Sequence, residues 1–481
     1  MKTTAASFEE FSPAWSQKAL AELRELVGFA SISTAPAHTG AVRGCATWLA
    51  RHLRGIGLDA VQVFETPRHP IVYAEKRVDP ARPTLLIYGH YDVQPIEPAA
   101  AWTVPPFGAR IRDDKLYGRG ASDDKGQFFV HLKALELLLS QNGPLPLNVK
   151  ILLEGEEEIG SPNLGEFIRR YRRLLRADWA VLSDTNLLSA QQPALTYGLR
   201  GSLAAELTVI GPRAELHSGV FGGAVLNPLQ ALSTLLAALH DATGRVAIPG
   251  FYDPVRAASA EERAYLRRYG PSEAQLLREA QVAQGWGEPG YTLYERTVLR
   301  PSLSITGLRG GYQGAGVQSI VPARASAKLS FRLAEGQDPH QVEEQLRRYL
   351  RRLTPPQVQA TLRAQLHAPP YTVAPTLPVM QAAAQAYARG FGRAPVLQRS
   401  GGTIPVVSLF EQHLGIPTVL MGLGLPDDHK HGPDEFLFLP NFWRGIRTSL
   451  FFLRRLGQLT SPTPWLCSSS TATATRARAT A

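Results

Sequence analysis

The sequence predicts an α/β fold in which a mostly parallel, twisted sheet is flanked by helices and a second α+β unit is inserted. Helix-like and strand-like segments alternate over the first 200 residues, which is the pattern of a parallel sheet. The strand-like segment 84–88 is nearly all apolar, as in a central strand covered on both faces. With 481 residues, 44% of them hydrophobic, the chain is long enough for two or three packed domains.

The elements of the first part follow from the spacing of apolar residues. Apolar residues recur at helical spacing in the segments 15–30, 41–56, 128–139 and 165–175. Short β-rich segments lie between them, at 60–64, 71–74, 84–88, 147–153 and 179–182. Ligands of such a sheet bind beyond the carboxyl ends of its strands, so the residues that follow these segments are the informative ones.

A second unit begins near residue 201. Alternating segments at 202–210 and 326–333, with helical segments at 227–240 and 340–353, predict an antiparallel sheet with helices. The segment 251–299 is long and charged and contains two or three helical stretches. We therefore expect a catalytic domain in two parts, 1–200 and 371–466, with an inserted domain at 201–370. The last segment, 467–481, is rich in Ser, Thr, Ala and Arg and is expected to be disordered.

Composition and charge narrow the class of protein. The net charge is +10, but the arginines are dispersed over helix-like segments and no nucleic-acid-binding motif accompanies them. The charge is better explained as a weak general attraction for anionic ligands. No apolar run reaches the ~18 residues of a membrane span, the first residues lack a secretory signal, and two distant cysteines indicate neither disulfides nor thiolate metal sites. We expect a cytoplasmic protein without a nucleic-acid or membrane partner.

Acidic residues and a histidine stand beside four of the predicted elements. They are His90 and Asp92 after the strand at 84–88, Asp123 and Asp124 before the helix at 128–139, the run EGEEE at 154–158 after the strand at 147–153, and Asp184 after the strand at 179–182. Taken alone, a histidine at a strand end or an acidic residue at a helix start is commonly structural. Four such places along one sheet edge indicate a shared site.

The acidic run is the strongest local signal. Glu154, Glu156, Glu157 and Glu158 place four carboxylates in five positions directly after a buried strand. A solvated loop is the alternative for an isolated run, but carboxylates at the mouth of a buried strand are costly to keep ionised unless a cation or a proton joins them. Carboxylates with imidazoles and no thiolates suit zinc, manganese or cobalt, often as two ions that share a carboxylate.

Two histidines near the C-terminus follow a fifth strand-like segment, 418–421. His429 and His431 are both candidates for the second imidazole of such a site. The residues gathered so far lie in the motifs GHYDVQP (89–95), YGRGASDDKGQ (117–127), EGEEEIGS (154–161), LSDTN (182–186) and GLPDDHKHG (424–432). These motifs resemble the co-catalytic metallopeptidase family of carnosinase-type dipeptidases, carboxypeptidase G, aminoacylase and succinyl-diaminopimelate desuccinylase. The resemblance spans about residues 10–460, and TYGLRG (196–201), LHSGVFGG (216–223), PSLS (301–304) and SGGTIP (400–405) resemble the dipeptidase branch in particular.

The resemblance implies a role for each residue. It makes Asp123 a bridging ligand of two metal ions, joined to Asp124 by a cis peptide bond. The other implied ligands are His90 and Asp184 for one ion, and Glu158 and His431 for the other, with His431 preferred over His429 by the register of the motif. Glu157 becomes the general base, and Asp92 supports His90. The implied cofactors are two divalent ions, zinc in first place, with manganese or cobalt as alternatives.

The implied reaction is hydrolysis of the amide bond of dipeptides or small peptides by a metal-activated water, with Glu157 as the base. In the family the inserted domain is a lid that dimerises, so we expect a homodimer in which His217 donates to the developing oxyanion of the neighbouring subunit's site. The residues expected to hold the substrate's carboxylate are Arg332, Gly402, Thr403 and Ile404.

Two alternatives to a dipeptidase were weighed on the sequence. An N-acyl-amino-acid amidase or deacylase, of the deacetylase or desuccinylase type, uses the same dinuclear site and differs in the acyl side of the substrate. A binding protein on a decayed hydrolase fold is disfavoured, because all five metal positions and the base are filled.

Overall fold

The computed structural model describes residues 11–140 and 144–460, so the tail predicted at 467–481 lies outside the described residues. The helices are α1 (Pro13–Val27), α2 (Thr39–Gly55), α3 (Lys125–Ser140), α4 (Leu164–Arg170), α5 (Ser218–Phe221), α6 (Pro228–Ala237), α7 (Ala260–Tyr269), α8 (Glu273–Glu279), α9 (Leu293–Val298), α10 (Pro339–Leu353), α11 (Pro378–Phe391), α12 (Pro405–Leu414) and α13 (Leu439–Leu456). Over the described ranges, none of them combines the length and the apolar character that a bilayer crossing requires.

The strands are β1 (Ala60–Phe64), β2 (Ile71–Lys76), β3 (Thr84–His90), β4 (Arg110–Arg112), β5 (Lys115–Tyr117), β6 (Asn148–Glu154), β7 (Trp179–Leu182), β8 (Ala194–Leu199), β9 (Gly201–Ile210), β10 (Leu216–His217), β11 (Ser302–Gly310), β12 (Ile320–Val321), β13 (Arg324–Leu333), β14 (Gln359–Ala368), β15 (Tyr371–Thr372), β16 (Val396–Ser400), β17 (Thr418–Leu420) and β18 (Phe436–Phe438). They form a nine-stranded sheet, a four-stranded sheet and two small sheets.

The nine-stranded sheet has the order β1-β2-β6-β3-β7-β17-β8-β15, with β16 paired to β8. Its four middle strands, β6, β3, β7 and β17, are parallel to one another. Antiparallel pairs occur toward its margins, where β2 joins β1 and β6 and where β15 joins β8. The predicted α/β fold with a mostly parallel central sheet and flanking helices is confirmed.

The carboxyl ends of the parallel strands position the site. β3 ends at His90, which lies opposite Glu154 at the end of β6, and β7 ends at Leu182, two residues before Asp184. Both strands are buried along almost their whole length because their side chains are nearly all apolar. Parallel strands end at the same edge of a sheet, so the polar residues that follow them meet there.

The inserted unit, which runs from β9 to β14 and which we call the lid, has its own sheet and its own core. Its four strands have the order β11-β13-β9-β14. Helices α6 and α10 contribute Leu232 and Leu346 to a hydrophobic core that draws on residues between Leu203 and Ala364. The core of the nine-stranded sheet contains no buried residue between Leu199 and Tyr371.

Two elements differ from the predicted pattern. The helix predicted at 165–175 ends at Arg170, because the run RRYRR places arginines at 169, 170, 172 and 173, where like charges one helical turn apart destabilise further turns. Strand β2 is antiparallel to both of its neighbours, since a short connection joins it to β1 as a hairpin.

Candidate metal centre

Asp123 lies at the middle of the site, between two imidazoles. Its Oδ1 is 3.1 Å from Nε2 of His90, and its Oδ2 is 3.0 Å from Nε2 of His431. The peptide bond from Asp123 to Asp124 is cis, as the resemblance implied. One carboxylate oxygen therefore faces each imidazole, which is the arrangement that a bridging ligand of two ions needs.

Two groups of donor atoms share Asp123. The first joins it to His90 and Asp184, and the second joins it to Glu158 and His431, with the donor atoms of each group within 4.8 Å of one another. The two groups contain the five residues that the sequence analysis named as ligands. His429, the alternative to His431, packs its ring against Phe436 instead, with 6.0 Å between the ring centroids.

The imidazole of His90 is placed to bind an ion through Nε2, which faces Asp123 and Asp184. Burial opposes its protonation, but hydrogen bonds to Asp123 and Asp92 raise the pKa of His90 well above its usual value, so a bound ion would displace a proton from Nε2. Its Nδ1 lies 3.1 Å from the backbone oxygen of Asp92, to which it can donate. His90 is fully buried, so no water competes for this hydrogen bond. The Asp92 carboxylate, expected to support His90, lies beside the same nitrogen, with its Oδ1 3.5 Å from Nδ1.

The Asp92 carboxylate has a second task that the sequence did not reveal. It accepts the backbone N–H groups of Glu157 and Glu158, each at 3.1 Å. The acidic turn after β6 is thereby anchored to the turn after β3. This contact orients Glu157 and Glu158, and their spacing from Asp92 in the sequence gave no sign of it.

Glu435 holds the segment that presents Asp123, and the sequence analysis missed it. Its buried carboxylate accepts the backbone N–H groups of Gly120, Ser122 and Asp123 at 2.9 Å each, and NH1 of Arg119 donates to it at 2.8 Å. Four donors compensate a carboxylate that would otherwise be costly to bury. A Glu three residues after the predicted metal-binding GLPDDHKHG motif was the signal available.

Burial and mutual repulsion raise the pKa of the acids in the centre. Burial, followed by the neighbouring carboxylates, raises the pKa of Glu157 to about 8 and that of Glu158 to about 9. The pKa of Asp184 is also raised, by burial and by Asp123. Asp123 is the exception: burial opposes its ionisation, but Lys430 and both imidazoles hold its pKa well below the usual range.

Lys430 is a cation at this site that the sequence analysis did not single out. Its Nζ lies 3.1 Å from Oδ1 of Asp184, and the side chain is mostly buried. One lysine cannot neutralise the carboxylates of Asp123, Glu157, Glu158 and Asp184 together. The donor set, oxygen-rich with two imidazoles, fits divalent cations, which would relieve the remaining repulsion.

The other two glutamates of the acidic run have hydrogen-bond partners outside the centre. Glu154 is fully buried and accepts from the hydroxyls of Tyr88 and Ser161. Glu156 accepts from Thr66 Oγ1 at 2.6 Å and from Asn163 Nδ2 at 2.7 Å. These contacts indicate that Glu154 and Glu156 hold the turn together.

The predicted carboxylate-binding residues also come together. NH1 of Arg332, on β13 of the lid, donates to Oγ1 of Thr403 at 2.8 Å, and that hydroxyl donates to the backbone oxygen of Arg200. Gly402 and Ile404 flank Thr403 at the start of α12. A cavity of about 530 Å³ is lined by Gly402, Thr403 and Ile404 together with Asp184 and Lys430 of the metal centre. Substrate-sized space thus joins the centre to the loop at 400–404.

His217 is the predicted residue that this chain does not bring to the centre. It lies exposed on β10 of the lid, where its Nδ1 accepts the N–H of Gly219 at 3.0 Å. Within residues 11–140 and 144–460, no hydrogen bond or ion pair links it to the five candidate ligands or to Glu157.

The fold and the carboxylate–imidazole centre define a class of protein, the metal-dependent hydrolases. Residues 86–455 match Peptidase family M20/M25/M40. The chain therefore belongs to this family and is a hydrolase that acts on peptide bonds.

Individual relatives agree with that assignment. The Cys-Gly metallodipeptidase of Schizosaccharomyces pombe is 32% identical over 416 residues, which are 84% of this chain and 87% of that protein. The Beta-Ala-His dipeptidase of Homo sapiens is 31% identical over 400 residues, 82% of this chain and 78% of that protein. The solved structure of a metallo-carboxypeptidase from Sulfolobus solfataricus has a TM-score of 0.84 and 34% identity, and the alignment covers 92% of this chain and 100% of that chain.

Proposed function

We propose that this protein is a dinuclear metallodipeptidase that hydrolyses the amide bond of dipeptides or small peptides. The observation that carries the proposal is the position of Asp123, whose two oxygens face the imidazoles of His90 and His431. Asp184 and Glu158 complete the two groups of donors around it. An amidase of N-acyl amino acids is not favoured, because the relatives compared above are two dipeptidases and a carboxypeptidase.

His90, Asp123 and Asp184 would hold one ion, and Asp123, Glu158 and His431 the other. Bound divalent ions supply a nucleophilic water at neutral pH and polarise the scissile carbonyl. Glu157 takes the proton of that water and later delivers it to the leaving amine. In the metal-free chain burial raises the pKa of Glu157 to about 8, and bound cations would favour its carboxylate form, which is the form that accepts the proton.

Arg332 and the loop at 400–404 form the expected seat of the substrate's terminal carboxylate. The Arg332 guanidinium is half-buried and already reaches Thr403. Gly402 has no side chain, so an anion can approach the backbone closely there, although the N–H of Gly402 itself donates to Ser400 Oγ at 3.2 Å. The loop residues Gly402, Thr403 and Ile404 line the same cavity as Asp184, and Arg332 reaches this loop through Thr403, which supports a substrate bound with its scissile bond near the metals.

The oxyanion donor is proposed to come from a second copy of the chain. His217 is exposed, and over the described ranges it makes no hydrogen bond with the candidate ligands of its own chain. It is close in sequence to Val220 and Phe221, whose side chains are 69% and 40% exposed. An apolar surface next to a needed histidine fits a homodimer through the lid. Co-expressing Glu157→Gln with His217→Ala tests this: a mixed dimer regains one intact site, whereas each variant alone is inactive. Equal inactivity of the mixture would contradict the shared site.

The substrate class is tested by comparing kcat/KM for a panel of dipeptides and tripeptides with N-acetyl and N-succinyl amino acids. Turnover of peptides with a free amino group supports the proposal. Turnover of acylated substrates alone would refute it.

Zinc as the native metal and a cytoplasmic location remain predictions from the sequence. Metal analysis of protein purified without chelators tests the first, and cell fractionation tests the second.

A further inference from the structure

A second group of metal-ligating side chains lies in the lid. We call it the lid triad and define it as His340 and Glu343 of α10 and His367 of β14. One donor atom of each lies within 4.8 Å of the other two. His340 and Glu343 are three residues apart on the helix and therefore point to the same side. The triad shares no residue with the metal centre.

An irregularity in β14 turns His367 toward α10. Before it, Leu362 lies opposite Leu207 of β9, whose side chain belongs to the lid core. An extra residue after Ala364 shifts the register, so that His367 lies opposite Leu203, on the same core-facing side as Leu207. In an unbroken strand, residues 362 and 367 would face opposite sides of the sheet. The bulge thus aims the imidazole at the helix, as bulges beside binding sites do.

One imidazole of the triad already contacts the Glu343 carboxylate, and the other stacks on the first. Nε2 of His367 is 2.6 Å from Oε2 of Glu343, and the ring of His340 stacks on that of His367 with 4.2 Å between centroids. Arg347 occupies the other oxygen, Oε1, to which its Nε donates at 2.7 Å. Glu343 is therefore held by the arginine through one oxygen and contacts His367 through the other, the kind of support that protein metal ligands receive, while a ring nitrogen of His340 lies within 4.8 Å of the donor atoms of both.

We propose that the lid triad binds a divalent transition-metal ion, with Zn²⁺ as the best fit. Two imidazoles and one carboxylate form a common three-ligand set for zinc, and imidazole does not suit Mg²⁺ or Ca²⁺. A simple ion pair between Glu343 and His367 gives the imidazole of His340 no polar role. His340 is exposed, which leaves the fourth position open to water. The ion would tie α10 to β14, an edge strand of the lid sheet.

The test counts zinc on the holoenzyme without a histidine tag. After the catalytic metals are loaded, the protein is dialysed against a fixed free Zn²⁺ concentration and bound metal is measured by elemental analysis. We expect one more zinc ion per chain in the parent protein than in His340→Ala or His367→Ala. Glu344→Gln is the matched control, because Glu344 is the exposed neighbour of Glu343 on α10 and should keep the extra ion.

Two further measurements, of activity and of melting temperature, accompany the zinc count. Dipeptidase activity should stay unchanged in all three variants, which shows that they fold, and added Zn²⁺ should raise the melting temperature of the parent protein more than that of His340→Ala. Because His340 is exposed, its replacement by alanine leaves no cavity in the core. Equal zinc content in the parent protein and His340→Ala would overturn the proposal in favour of a plain ion pair. Loss of the extra ion in Glu344→Gln as well would overturn it in favour of nonspecific surface binding.

Discussion

Replacing Glu157 by glutamine separates proton transfer from metal binding. The change keeps the shape of the side chain and removes the carboxylate that takes the proton from the attacking water. We expect Glu157→Gln to retain two metal ions per chain while kcat falls by a factor of about 10² to 10⁴, the usual contribution of a positioned general base. That loss corresponds to about 3–5 kcal/mol of transition-state stabilisation.

The structure explains why the metals should remain. Glu157 belongs to neither group of donor atoms, whereas Glu158 belongs to one of them. The Asp92 carboxylate holds the turn through the backbone N–H groups of residues 157 and 158, and these do not change with the side chain. Removing one acid from a crowded group of carboxylates also lowers the repulsion that opposes ionisation of Glu158.

The assay measures metal content by elemental analysis and kcat on one dipeptide for the parent protein, Glu157→Gln and the matched control Glu158→Gln. The control should lose affinity for one ion together with its activity. If Glu157→Gln lost a metal ion, the base and the ligand would have been interchanged. If it kept its kcat, Glu157 would not be the base at all.

Three further outcomes are expected. Arg332→Met should lower kcat/KM for dipeptides about 10- to 100-fold, because a charge-assisted hydrogen bond to a carboxylate is worth about 1.5–3 kcal/mol. The control is Arg324→Met, at the exposed end of the same strand, which should change kcat/KM little. Stripping the metals should lower the melting temperature, and the free energy of unfolding of the stripped protein should fall as pH rises from about 4.5 toward 8. The pKa of Glu157 is raised from 4.5 to about 8 in the folded state, so between these pH values the folded state holds a proton that the unfolded chain releases. Equal melting temperatures with and without metal in calorimetry would contradict this account. His131→Gln should reduce the loss of stability in acid. Burial lowers the pKa of His131 from 6.5 to about 4, so between these values the unfolded chain binds a proton that the folded protein does not. The free energy of unfolding of the parent protein, measured by urea unfolding, should therefore fall by about 2 kcal/mol through this residue between pH 6.5 and 5.

The parallel part of the fold was predictable because its strands are short, apolar and buried. The predicted bounds of β1 and β7 coincide with those in the structure, and β3 extends the predicted strand by two residues to reach His90. Each of these segments is determined by local apolar content and by the polar residue that ends it. The antiparallel pairing of β2 depends on which strand lies beside it, and local sequence does not contain that information.

The candidate ligands were predictable for the same reason, since each stands next to an element with a clear apolar pattern. The residues that hold them were not. Glu435 acts on backbone groups more than 300 residues away in the chain, and Lys430 forms its ion pair with Asp184, 246 residues away. Their roles depend on partners brought close only by folding, and neither partner lies within one turn or one strand of them. The same holds for His217, whose proposed partner belongs to another copy of the chain.

The fold separates the four carboxylates of the run EGEEE into two pairs with different surroundings. Glu154 and Glu156 turn away from the metal centre, where hydroxyl, amide and backbone N–H donors compensate their burial. Glu157 and Glu158 turn toward Asp123, and burial with the neighbouring carboxylates raises their pKa values to about 8 and about 9. Burial raises the pKa of Glu154 to about 8 as well, but Glu154 has its hydroxyl donors away from the centre, whereas Glu157 and Glu158 lie where a bound cation would stabilise the ionised form. Metal binding should therefore release protons, and a pH-stat measurement of metal loading should detect their release at pH 7. Loading without proton release would mean that both acids are already ionised, and that the repulsion among them is relieved by groups other than metals.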